Sequence, residues 1–176
     1  VWPGGLESVN DVPGALLRAR LALEPDGLLL GALVGDGSFP ALRSALARAA
    51  PQGAFVARMH PQIDVAAMGN LMQRCGLALP VIDVDRIDLA YRSVGGLIAD
   101  LRAAALTNLL AGPVHPVSRA GRQAMAAAFA AMGDGERTTE QLRIIHFSGW
   151  APHDSQPQPA RRGSATHSLG QALKPR

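Results

Sequence analysis

One cysteine in 176 residues, Cys75, leaves no internal disulfide and no thiolate metal cluster to build. Aromatic residues are 4% of the chain, too few to interleave with a basic face and stack bases, so no nucleic-acid partner is expected. Long apolar runs are missing too. The longest, Leu28 to Val34, falls far short of the roughly 20 residues a bilayer span needs, and no charged-then-apolar leader precedes it. The expectation is a soluble cytoplasmic protein with no transmembrane segment. His60, His115, His146 and His167 are scattered without ligand spacing, so no metal is expected. Lysine occurs once against sixteen arginines in an Ala-, Gly- and Pro-rich chain, which reads as a GC-rich bacterial coding bias.

What the sequence does contain is enough apolar residue, 48%, to bury one domain's core. The net charge of +3 falls to −1 once Arg161, Arg162, Lys174 and Arg176 are set aside, so the basic excess is a property of the tail.

Val1 to Asn10 is Gly/Pro-rich and reads as a loop. Asp11 is a candidate N-cap, with Pro13 in the first turn of a helix whose stripe is Leu16, Leu17 and Leu21. Pro25-Asp26-Gly27 closes it with a turn. Leu28 to Val34 is apolar without alternation, the pattern of a strand covered on both faces. Gly35-Asp36-Gly37-Ser38 follows, with Ser38 as candidate cap of a helix to about Ala49. Asp64 starts a second helix that carries Met68, Leu71, Met72 and Cys75 and stops at Gly76. From Leu79 to Tyr91, Ile82 and Val84 alternate, and Ile87, Leu89 and Tyr91 resume out of phase, which predicts a bulge near Asp85-Arg86. Ser93 opens a third helix after the first. Met125, Phe129 and Met132 mark a fourth beyond the connection at 112–117, and Glu140 to Trp150 forms a last strand. The layout is α/β with too few strands to flank its most apolar one on both sides.

Several stretches then resemble a known family. Val9-Asn10-Asp11-Val12-Pro13-Gly14, Arg20 to Leu28 and Met68 to Gly76 resemble the second half of class I S-adenosylmethionine-dependent methyltransferases. Pro80-Val81-Ile82-Asp83-Val84-Asp85 and Gly149-Trp150-Ala151-Pro152-His153-Asp154-Ser155-Gln156 narrow the resemblance to the complex I assembly factor five family and the related malonyl-carrier-protein methyltransferases of biotin synthesis. The resemblance implies a sheet of order 3-2-1-4-5-7-6 with an antiparallel seventh strand. Leu28 to Val34 would be strand five, Leu79 to Tyr91 strand six and Glu140 to Trp150 strand seven. The expected fold is therefore a partial Rossmann-like methyltransferase sheet (strands five, seven, six) with flanking helices. Residues 1–150 would be the C-terminal portion of a methyltransferase-like domain, and 151–176 a Pro/Gly/Ser-rich tail. The family uses S-adenosylmethionine, and the resemblance implies a protein side-chain acceptor with links to respiratory complex I assembly, through methyl transfer or arginine hydroxylation. The family's glycine-rich loop and its acidic residue after the second strand have no counterpart here, so the chain alone is not expected to bind the cofactor. The family also reads His-Trp ahead of Val-Asn-Asp, where Glu7-Ser8 stand in this sequence. The alternative is a non-catalytic binding or assembly module, or an inactive fragment.

Three residues are candidates for substrate contact. Asp36 follows the C-terminal end of the central strand, where open α/β sheets place ligands, and it is equally a turn former. Trp150 and His153 could line a substrate mouth or pack the tail against the sheet. Asp83, Asp85 and Asp88 form an acidic group, with Asp83 and Asp85 on the face opposite Ile82 and Val84, which reads as a solvated face. Cys75 reads as a small core residue, and no catalytic triad can be assembled.

Overall fold

The stretch Leu28–Val34 forms strand β1, paired antiparallel along its whole length with a strand from the far end of the chain, Thr138–Trp150. The computed structural model describes residues 1–49, 59–111, 116–157 and 164. In chain order the elements are α1 (Val12–Leu21), β1, α2 (Pro40–Ala49), α3 (Val65–Arg74), β2 (Ala78–Tyr91), α4 (Val94–Ala103), α5 (Arg119–Ala130) and β3 (Thr138–Trp150). The sheet runs β1-β3-β2 with both pairings antiparallel, so β1 and β2 point the same way on either side of β3. That is the five, seven, six order and the antiparallel last strand expected from the resemblance. The fold is an α/β arrangement with a small, open, antiparallel sheet flanked by helices.

Helix starts follow local chemistry. Asp11 accepts from the N–H of Gly14 at 2.9 Å, Asp64 from Ala67 at 2.7 Å, Ser93 from Gly96 at 3.3 Å and Ser118 from Gly121 at 3.0 Å. α2 is different. Ser38 does not cap it: Phe39 takes a left-handed turn, φ 58°, and Pro40 opens the helix, whose first N–H groups, at Ala41 and Leu42, are met by the carboxylate of Glu140 from β3 at 3.1 and 2.5 Å. Glu140 and Ser38 are fully buried.

Two cores lie on opposite faces of the sheet. One joins Leu6 and Leu16 to Leu29, Leu33, Ile145 and Phe147 of β1 and β3 and to Met68 and Met72 of α3. The other joins Phe39, Leu42 and Ala45 of α2 to Leu97 of α4 and Phe129 of α5, with Val34, Leu89, Tyr91 and Leu142 packed against it. The division explains the phase change along β2. Its register with β3 is unbroken from Val81 to Tyr91, so the predicted bulge at Asp85-Arg86 does not form, and the irregularity lies between Ala78 and Val81 instead. Ile82 and Val84 point into the first core, whereas Leu89 and Tyr91 point into the second. The apolar phase switches because the covered face switches.

Other expectations are corrected in the same way. Of the α1 stripe, Leu16 is buried, but Leu17 and Leu21 are exposed. Met125 and Phe129 are buried, while Met132 lies past the end of α5 and is exposed. The opening stretch is not simply a loop. Trp2 makes a one-residue parallel bridge to Gly31, donating to Leu30 O at 2.7 Å and accepting from the N–H of Ala32 at 2.9 Å, and Leu6–Ser8 form a 3-10 turn that packs on β1. Gly31 itself is required by close approach, since a Cβ there would stand 2.1 Å from Cζ of Phe147.

Candidate functional site

The C-terminal end of β1 gathers side chains from four separate segments. Gly35 and Asp36 lie beside Ile63, whose carbonyl accepts from the N–H of Asp36 at 2.9 Å. Just before Ile63, Gln62 accepts from Arg43 of α2 at 3.0 Å. His60, three residues ahead of Ile63, meets the carbonyl of Glu7 through Nε2 at 2.6 Å and the N–H of Leu109 through Nδ1 at 3.5 Å. The Arg143 guanidinium lies against Gly37 and donates from Nε to Gln141 at 3.0 Å. Ser38 holds the loop in place: its hydroxyl donates to Gly35 O at 2.8 Å and accepts from the N–H of Arg143 at 2.9 Å. Asp36 is exposed just past the end of β1, and one carboxylate oxygen of Glu7 is buried without a hydrogen-bond partner among the described residues.

The other candidates stand elsewhere. Trp150 is opposite Leu28, at the start of β1, while Asp36 follows its end. The strand's length, about 20 Å at ~3.3 Å per residue, separates them. His153 is exposed, and its Nδ1 contacts the Ser155 hydroxyl at 2.8 Å. The stretch that carries it is tied to the turn before β1. Gln156 donates to Asp26 at 2.9 Å and to Ala151 O at 2.8 Å, and Ala151 and the turn exchange backbone hydrogen bonds with Gly27 and Asp26. The structure thus does not bring Asp36 together with Trp150 and His153.

A third place is the sheet face left open beside the second core. A cavity of about 370 Å³ there is lined by Trp2, Leu30, Val81, Asp83, His146 and Ser148, among others. His146 Nε2 reaches Asp85 Oδ2 at 3.0 Å, and both side chains are largely in solvent. Asp83 and Asp85 are exposed on this face, as their alternation required. Cys75 is buried, donates to Pro13 O at 3.3 Å, and has its thiol pushed up by burial, against the pull of Arg74 and Arg20. Among the described residues no group of three His, Cys, Asp or Glu side chains could hold a metal ion, and no helix is long and apolar enough to cross a membrane. His115 and His167 lie outside the described residues.

The loop after β1 is a poor cradle for a cofactor. The N–H groups of Gly35, Asp36, Ser38 and Phe39 all go to backbone carbonyls of Arg143, Ile63, Gly35 and Gln141, and the first donors of α2 go to Glu140. A bound S-adenosylmethionine would find few free backbone donors in this loop, and the sheet formed by the described residues is open beside it.

No family model matches the chain. It is 32% identical over 170 residues to the mitochondrial arginine-hydroxylase NDUFAF5 of Danio rerio, covering 94% of this chain and 53% of that protein. The Mus musculus counterpart is 34% identical over 173 residues, covering 96% and 50%. A malonyl-[acyl-carrier protein] O-methyltransferase of Laribacter hongkongensis is 31% identical over 156 residues, covering 86% and 50%. Over most of its length the chain is related to the group of S-adenosylmethionine-dependent methyltransferase-like proteins formed by these arginine hydroxylases and malonyl-carrier-protein methyltransferases, and it spans about half the length of the curated relatives it matches. A solved Bacillus halodurans structure described as a methyltransferase superposes with a TM-score of 0.48 at 9% identity, covering 85% of this chain and 62% of that one. The expectation of a bacterial cytoplasmic protein is overturned by the hydroxylase relatives, which are mitochondrial proteins.

The rim residues Glu7, His60, Gln62, Arg43 and Arg143 were not legible as a group. They come from segments far apart in sequence, and each has an ordinary local reading. A faint signal was Glu7, which stands where the resembling family reads His.

Proposed function

We propose that this chain is the C-terminal half-sheet of an S-adenosylmethionine-dependent methyltransferase-like enzyme acting on a protein side chain, with a role in respiratory complex I assembly. In this reading residues 1–150 form the half-domain and 151–176 its tail. The observation that carries it is the outer edge of β1. An apolar central strand in an α/β sheet needs a neighbour on each side. β1 has β3 on one side and, on the other, the single parallel bridge of Trp2, with Ile63 beside Gly35 at the top. A parallel neighbour continuing from Trp2 would complete the sheet and bring further elements to the rim that holds Asp36. The cofactor is then held mainly by that neighbour, and this chain supplies the acceptor side of the rim, where Asp36 contacts substrate. Trp150 and His153, at the far end of β1, belong in this reading to a surface for the protein partner.

The test is a chimaera in which this chain replaces its matching segment in the Danio rerio relative. The expected result is S-adenosylmethionine binding by calorimetry and a modified side chain on the protein acceptor, seen by mass spectrometry as one added methylene or one added oxygen. The isolated chain should show no saturable cofactor binding. Micromolar binding by the isolated chain would refute the half-sheet reading. A chimaera that binds its partner but neither the cofactor nor modifies a side chain would favour a non-catalytic assembly module.

A further inference from the structure

We propose that the outer edge of β2 pairs antiparallel with the same strand of a second copy of this chain, in a single register that places Ile87 opposite Ile87 on a two-fold axis. β2 is the last strand of the sheet order and is 14 residues long, and among the described residues no other segment bridges or hydrogen-bonds to its free side. Edges left open are ordinarily short, bulged, or interrupted by Pro or Lys. Between Val81 and Tyr91 β2 has none of these devices: its register with β3 is unbroken, and the stretch holds neither residue. It carries charge instead, in the exposed side chains of Asp83, Asp85, Arg86 and Asp88.

The direction of the edge's backbone groups follows from the pairing inside the chain. Odd-numbered residues of β3 turn toward β1, since Arg143 O accepts from the N–H of Gly35 at 2.9 Å. Even-numbered ones therefore turn toward β2, where Ile144 and His146 face Asp85 and Asp83. Even-numbered residues of β2 are left with N–H and C=O pointing outward. The N–H of Val84 agrees, because it donates to the carboxylate of Asp83 beside it, at 2.8 Å, and to no neighbouring strand. Val84, Arg86, Asp88 and Ala90 thus present a ladder of outward donors and acceptors.

Charge selects the register. A continuous sheet keeps each side chain on its own face, so a two-fold axis between two copies of β2 must fall on a residue. An axis at Asp85, Arg86 or Asp88 sets that residue against its own copy, and an axis at Val84 sets Asp83 against the partner's Asp85. Like charges directly opposite are destabilising. An axis at Ile87 instead sets Arg86 against the partner's Asp88, twice by symmetry. It also brings Val84 opposite Ala90 and covers Ile87, which is 40% exposed, with its own copy. Among the described residues the one ion pair within the chain is His146 with Asp85, so Arg86 and Asp88 are available to the partner. The run Arg86-Ile87-Asp88 is self-complementary when read antiparallel about its centre. This edge lies across the sheet from β1, so the proposal does not rest on the half-sheet reading.

Sedimentation velocity of the full chain, from about 1 μM to 1 mM, tests it, and a reversible equilibrium of monomer and dimer is expected. Arg86→Asp and Asp88→Arg each put like charges opposite one another at both symmetric positions and should weaken the dimer about tenfold or more. The double variant Arg86→Asp/Asp88→Arg restores both pairs and should associate as the wild type does. An equimolar mixture of the two single variants should also dimerise, because their charges match across a heterodimer. Both positions are exposed, and circular dichroism checks that each variant is folded. Ile87 faces its copy in a non-hydrogen-bonded pair, with Cα atoms about 4.5 Å apart, a spacing that a disulfide spans. Ile87→Cys should therefore give a covalent dimer on mild oxidation, whereas Asp85→Cys, opposite the partner's Leu89, should not. A chain that stays monomeric throughout, a dimer indifferent to both single reversals, or one that the double variant fails to restore overturns the proposal.

Discussion

Glu140 offers the sharpest test of how the helical layer is attached to the sheet. Its carboxylate, fully buried on β3, is the cap of α2, accepting from Ala41 and Leu42. Glu140→Ala leaves both N–H groups without a partner, at about 1–3 kcal/mol each. It also removes the attraction between an anion and a helix N-terminus, about 0.3–2 kcal/mol. Relief of the buried charge offsets part of this, so a net loss of about 3 kcal/mol is expected, or roughly 6–12 °C in thermal midpoint for a chain of this size. Glu140→Gln keeps one acceptor and should cost about half as much. The pH dependence has a definite sign. Burial raises the Glu140 carboxyl above the ordinary glutamate range, against the N–H groups of Leu42, Ala41 and Gln141. A folded-state value above the unfolded one means that the native state holds the proton more tightly. The stabilising contribution is then complete below the unfolded value, about 4.3, and is lost as pH rises through the folded one. The midpoint difference between wild type and Glu140→Gln, followed by circular dichroism across a pH series, should therefore be largest in acid and narrow toward neutrality. A difference that widens with pH would refute the reasoning and show that the three donors outweigh burial.

Three further outcomes follow from the packing. Gly31→Ala places a methyl inside the Phe147 ring, whose Cζ is 2.1 Å from the new Cβ. It should destabilise by about 1–3 kcal/mol in denaturant unfolding, with most of the loss recovered by adding Phe147→Leu. Gln156→Ala removes the hydrogen bonds to Asp26 and to Ala151 O. It should cost about 1–3 kcal/mol and speed proteolysis after Trp150, and unchanged cleavage kinetics would show that the stretch is not latched. Cys75 is buried with its thiol pushed up by burial, so it should resist an aromatic disulfide reagent at neutral pH and react once the protein is unfolded. Prompt labelling of the native protein would contradict the packing.

The sequence made local features readable wherever one residue type does one job. Asp11, Asp64 and Ser93 cap the helices their positions predicted, and β1 has the bounds of its apolar run. Features that depend on a distant partner were misread. Ser38 has the right chemistry for a cap, but Phe39 turns left-handed and Glu140, about a hundred residues on, supplies the carboxylate instead. Leu17 and Leu21 keep a helical period with Leu16, yet only Leu16 finds a core. The break of phase in β2 was real, but periodicity cannot tell a bulge from a strand that passes between two cores on opposite faces. At the rim, Asp36 was visible because it follows a strand. Glu7 and His60 were not, because they meet through a main-chain carbonyl that the residue pattern does not encode.

The same distinction bears on why Leu28 and Leu30 are exposed in the most apolar strand of the chain. On β1 alternate residues face opposite sides, and Leu29 and Leu33 are nearly fully covered by the helices of the first core. On the other side α2, α4 and α5 reach only as far as Val34, and Leu28 and Leu30 are left 37% and 42% exposed. Antiparallel sheets tolerate one wet face, but they then alternate apolar with polar residues. β1 has no polar residue on either face, so its sequence is that of a strand covered twice. The uncovered leucines share their side of the sheet with Val81, whose exposure is 63%, and with the cavity walled by Trp2. Covering these leucines, unlike repacking the first core, requires apolar surface from outside the described residues.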